Sequence, residues 1–107
     1  MQLSPIIEYN YVTGYLVDVV DNISKTIREL KALNAKVKVG ITARDPQEFF
    51  DEQLQIKDWD KMTIIYDTKS KKFADDIKNH LVHINWQNND NEVDNTGLYT
   101  LYALIIE

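Results

Sequence analysis

KVKVGITARDPQEFF, residues 36–50, is the stretch from which the fold of this chain reads outward. From Lys36 to Thr42 apolar and basic residues alternate, the pattern of a strand with two different faces. The stretch then reaches Gly40, where a backbone can turn or be approached closely. Asp45-Pro46 then opens a helix. Asp45 suits the N-cap, Pro46 the first helical position, and Glu48, three residues after the cap, completes a capping-box pattern. A strand, a glycine turn and a capped helix make a βα unit.

Downstream, the helix from Pro46 to about Gln53 is expected to bury Phe49 or Phe50 together with Leu54. Lys57-Asp58-Trp59-Asp60 reads as a loop whose Trp packs back on the body. Lys61 to Asp67 (KMTIIYD) is a second strand, rich in β-branched and aromatic residues. Thr68 or Ser70 caps a helix over Ser70–Ile84, with Phe73, Ile77, Leu81 and Ile84 inward. Gln87 to Thr96 (QNNDNEVDNT) is polar and reads as a mobile loop. Leu98 to Ile106 is a strand with both alternating faces apolar, which places it inside a sheet.

Upstream, Leu16, Val19, Val20, Ile23, Ile27, Leu30 and Leu33 recur at helical spacing, and Asn34 marks the stop. Two readings remain for the beginning. Ser4-Pro5 could cap a helix of nearly thirty residues carrying Ile6, Tyr9 and Val12 on its stripe. Alternatively, Ile6 to Tyr11 is a short strand with a break near Thr13-Gly14. The weak helix formers from Tyr9 to Thr13 favour the break. The expected fold is one α/β (or α+β) domain over residues 1–107. Its small three- to four-stranded sheet is covered by the long N-terminal helix and a second helix.

Composition narrows function by exclusion. The 107 residues are 44% hydrophobic and 27% charged, and 12 basic against 17 acidic residues leave a net charge of −5. That balance disfavours a nucleic-acid footprint over the whole surface. No cysteine is present, which removes disulfides, thiol nucleophiles and cysteine metal sites and fits a cytoplasmic setting. The start MQLSPIIEYN has no signal-peptide pattern, and no apolar run approaches a membrane span. No Ser/His/Asp signature, P-loop or dinucleotide glycine motif occurs.

The order KVGIT, helix, TIIYDT, then a helix reading FADDIKNHLV, over about Lys36 to Ile84, resembles the GIY-YIG nuclease family. Members carry a strand with Tyr-x-Gly, a helix with an arginine, another strand, and a helix with a metal-binding glutamate. Matched by position, Lys38-Val39-Gly40 takes the Tyr-x-Gly place, Glu48 the arginine place and Lys78 the glutamate place. Ala74 and Leu81 suit the last helix. Gly97-Leu98-Tyr99 is similar to the Gly-x-Tyr strand that ordinarily comes first, as though the order were permuted. The family reaction needs a base to activate water, an arginine on the phosphate and a carboxylate on the metal. Lysine does not ligate Mg²⁺ as glutamate does, and Glu48 cannot replace an arginine on phosphate. The resemblance therefore implies a degenerate domain. An active one would need Lys38, Tyr99 and a carboxylate from Asp75 or Asp76 to converge on Mg²⁺. As a binding surface, the same match implies Lys38, Gly40, Arg44, Glu48 and Lys78.

Other clusters have plainer explanations. His80 and His83, with Asp76 one turn before His80, could hold a transition metal, but cationic side chains are also favoured at a helix C-terminus. Tyr9, Tyr11, Tyr15, Tyr99, Tyr102, Trp59 and Trp86 could stack bases, although such residues more often pack a core and its rim. Lys36, Lys38, Arg44, Lys69, Lys71, Lys72 and Lys78 could form a basic face, although such charges are mostly solvated surface. The expectation is a non-catalytic binding or regulatory module, small and acidic like an inhibitor or adaptor, without a cofactor. It would act through a protein partner or as a homodimer whose contact includes residues before Leu16. The competing readings are a Mg²⁺-dependent endonuclease and a structural homo-oligomer assembled through the N-terminal helix.

Overall fold

Seven elements follow one another along the chain: β1 (Ile6–Tyr9), α1 (Leu16–Leu33), β2 (Lys36–Thr42), α2 (Pro46–Ile56), β3 (Lys61–Thr68), α3 (Lys71–His80) and β4 (Tyr99–Ile106). The computed structural model describes residues 6–11, 16–81, 84, 86 and 97–107. The strands form one mixed sheet in the order β1-β3-β4-β2, an α+β fold. β1 runs parallel to β3, while β4 is antiparallel to both β3 and β2.

β4 is interior, as its sequence requires, and the helices explain why both of its faces are apolar. Leu101, Ala103 and Ile105 join Val19, Ile23 and Ile27 of α1 and Ile77 of α3 in one core. Tyr102 and Leu104 join Phe49 and Phe50 of α2, with Trp59, Met62 and Ile64, in a second core on the opposite face. The sequence predicts for α2 a short helix from Pro46 to about Gln53. It is the cover of the second face, extends to Ile56, and buries both phenylalanines rather than one.

The helix boundaries follow local chemistry. Both the backbone amide and the side-chain amide of Asn34 donate to the Leu30 carbonyl, at 3.1 and 2.9 Å, and end α1. Leu33 is 81% exposed, so the inward stripe stops one turn earlier than its spacing suggests. The Asp45 carboxylate accepts from the Glu48 amide at 3.2 Å, with Pro46 next to the cap. Ser70, not Thr68, caps α3, accepting from the Phe73 amide at 3.1 Å. α3 ends at His80 rather than continuing to Ile84. Beyond it the Ile84 amide and the Trp86 indole N–H both donate to the Leu81 carbonyl, each at 3.0 Å, and turn the chain back. Leu81 and Ile84 stay buried as expected.

Ile64 pairs with Tyr102 and Tyr66 with Leu101, so Ile65 is an extra residue in β3. That bulge lets Ile64 enter the α2-side core while Ile65 and Tyr66 both turn to the α1/α3 side. Of the two readings for the beginning, the short strand is the one formed, ending at Tyr9 rather than Tyr11. The expected break near Thr13-Gly14 and the expected loop over residues 87–96 lie outside the described residues, as do Tyr15 and His83. Among the described residues, no helix is long and apolar enough to cross a membrane.

Candidate functional site

The two edges of the sheet are finished differently. β2 carries Lys36 and Lys38, and Trp86 forms a parallel bridge to Val39 on its outer side. Lysines and a covering segment are the usual means of keeping an edge from pairing. β1, the other edge, has four residues and no lysine or proline among them.

β1 is held from beneath and at both ends. Ile7 packs on the α2-side core. The Asn10 amide donates to the Ile64 carbonyl at 2.8 Å. Lys61 reaches Glu8 at 3.2 Å and Glu107 at 3.4 Å. Burial lowers the Lys61 pKa, but the hydrogen bonds and charges of Glu8 and Glu107 outweigh it, and the net shift is upward. At the carboxyl end of the strand, Tyr9 and Tyr11 lie with ring centroids 5.8 Å apart. The Tyr11 phenol is pushed up to about 12 by partial burial, then by its hydrogen bond to Asp67 and the charge of that carboxylate. Ile6, Tyr9 and Tyr11 are nonetheless 56, 63 and 47% exposed. Among the described residues nothing covers this strand edge, and three large exposed side chains beside it offer a docking surface in both backbone and side-chain terms.

The residues singled out from sequence fall on both sides of the sheet. Lys38, Gly40 and Thr42 stand opposite Leu104, Tyr102 and Thr100, on the α2 side. Gly40 makes no turn but lies within β2, where it leaves room for the Tyr102 ring, since a Cβ there would lie 2.6 Å from Cζ. Arg44 is ion-paired with Glu52 of α2, and Glu48 is exposed in the first turn of that helix. Asp75, Asp76 and Lys78 belong to α3, on the other side, where Lys78 lies 6.0 Å from the Trp86 ring centroid. Tyr99 opens β4 opposite Thr68 and shares the α1/α3 side by alternation with Leu101. The sheet thus stands between Lys38 and the carboxylates of α3.

His80 hydrogen-bonds through Nδ1 to the Asp76 carbonyl at 2.8 Å, a helix-end contact. Among the described residues no group of three or more His, Asp or Glu side chains is placed to hold a metal. Of the aromatic set, Trp59 and Tyr102 are core residues, whereas Tyr9 and Tyr11 are surface. The β1 edge was only half visible in sequence. Its residues stood out as aromatic and apolar, but whether they formed strand or helix depended on β3 lying alongside. Comparison with family models, curated proteins and solved structures gives no match.

Proposed function

We propose that this chain is a non-catalytic binding or regulatory module that works through a protein partner, self-association included, on a degenerate GIY-YIG-like domain. The observation that carries the reading is the β1 edge, which no described residue covers and along which Ile6, Tyr9 and Tyr11 are exposed, opposite a β2 edge that carries lysines and is bridged by Trp86 at Val39. The placement of Lys38 across the sheet from Asp75 and Asp76 adds support, because hydrolysis of a phosphodiester needs base and metal ligand within a few ångströms of one phosphate.

Purified protein with Mg²⁺ or Mn²⁺ should leave plasmid and single-stranded DNA intact. Metal-dependent cleavage that vanishes in Tyr99→Phe would overturn the proposal in favour of the endonuclease.

A further inference from the structure

We propose that the partner of the β1 edge is a second copy of this chain, paired antiparallel about a two-fold axis at Tyr9. The inference rests on the binding-module reading and names its occupant. In a parallel ladder the residues on either side of a bridged residue make the bonds to the neighbouring strand. Tyr9 stands beside Ile64, and the Asn10 amide donates to the Ile64 carbonyl. The amides and carbonyls of Ile7 and Tyr9 therefore point away from β3, toward the open edge.

The register follows from which residues can face one another. A two-fold axis perpendicular to the sheet keeps each face on its own side, so residues sharing a face must pair. Centring on Glu8 would set its carboxylate against its own copy, and like charges directly opposite are destabilising. Centring on Ile7 would bring Pro5, which has no amide, opposite Tyr9 at an outward bonding position. Centring on Tyr9 avoids both. Tyr9 then faces its own copy, Ile7 faces Tyr11, and Glu8 faces Asn10. Aromatic and aromatic–aliphatic pairs of this kind are the favourable ones across strands. Antiparallel pairing about a two-fold also uses the same edge on both copies, so the assembly closes at a dimer.

The affinity is modest. A standard interface buries about 800 Å² per partner, and a four-residue strand with three exposed side chains supplies roughly half of that. An interface this small belongs to the weak, transient class, for which a dimer constant on the order of tens of micromolar sets the scale of the test. Each copy carries −5, so added salt should strengthen the dimer by screening repulsion.

Sedimentation of the full chain from about 1 to 200 µM tests the proposal on that scale. The expected result is a monomer–dimer equilibrium that shifts toward dimer with salt. Tyr9→Pro removes an outward amide and the ring that faces its own copy but no bond to β3, so it should stay folded by circular dichroism and remain monomeric throughout. Tyr9→Cys, the sole thiol in the chain, should oxidise to a covalent dimer, because directly opposed residues sit about 5.5 Å apart at Cα. Ile6→Cys, displaced from its own copy by several residues, should not. The cysteine pair keeps the test decisive if the proline variant fails to fold. A monomer across the range, a dimer that survives Tyr9→Pro, or equal cross-linking of both cysteine variants would each overturn the proposal. A monomer that leaves DNA intact removes self-pairing alone, whereas metal-dependent cleavage removes the binding-module reading.

Discussion

Gly40→Ala tests how the second core is built. Gly40 pairs with Tyr102, whose ring is fully buried and lies across the glycine. Phe49 packs on the same ring, with centroids 4.7 Å apart at 49°. A Cβ at residue 40 would lie 2.6 Å from Cζ and 3.1 Å from Cε1 of Tyr102, where ordinary contact begins at 3.4 Å. The ring must therefore move by roughly 1 Å against α2, an overpacking cost of about 1–3 kcal/mol. Alanine recovers about 0.5–1 kcal/mol of the strand-interior penalty of glycine. The net expectation is a loss of about 1–2 kcal/mol, or a Tm lower by about 4–10 °C at this chain length. Urea denaturation followed by circular dichroism measures it, and an unchanged m-value shows that the two states compared are the same. In a Tyr102→Leu background the ring is gone, and the same alanine should cost less than about 0.5 kcal/mol. An equal cost in both backgrounds, or a neutral Gly40→Ala, would refute the reasoning.

Two further outcomes are expected. Thr63 is 2% exposed, and its hydroxyl has no hydrogen-bond partner among the described residues. Thr63→Val keeps the β-branch and removes the stranded oxygen, so it should raise stability by about 1 kcal/mol in the same urea assay, and a clear loss would mean the hydroxyl is bonded. The Tyr11 pKa near 12 lies above its ordinary value of 10.0, so folding favours the neutral phenol. The resulting stabilisation is complete below about pH 10 and is lost as pH rises through about 12. It should be small because the side chain is about half exposed. The difference in tyrosinate absorbance between the parent chain and Tyr11→Phe should titrate near 12 and move down in Asp67→Asn. A difference titrating at the ordinary value would break the Tyr11–Asp67 pairing.

Local chemistry made much of this fold legible in the chain itself. Lys36–Thr42 is a strand with the bounds its alternation suggests, and Asp45-Pro46 starts α2 as a cap and first residue should. Asn34 stops α1, and the apolar faces of β4 announce an interior strand. Each of these signals lies within a few residues of the structure it specifies, so no distant partner is needed to read it.

Only the tertiary structure decided the rest, because the deciding contacts lie far apart in sequence. Residues 6–9 became strand because β3, more than fifty positions later, offered a parallel neighbour. α3 stops at His80, where Trp86 folds back and donates to the carbonyl of the capping Leu81, a contact its own periodicity could not foretell. The same is true of the candidate site. Lys38 and Asp75 are both visible as chemistry-bearing residues, but which face of the sheet each occupies is set by helix packing. Whether an edge is covered or open is likewise a property of the strand order β1-β3-β4-β2, and no single strand carries it.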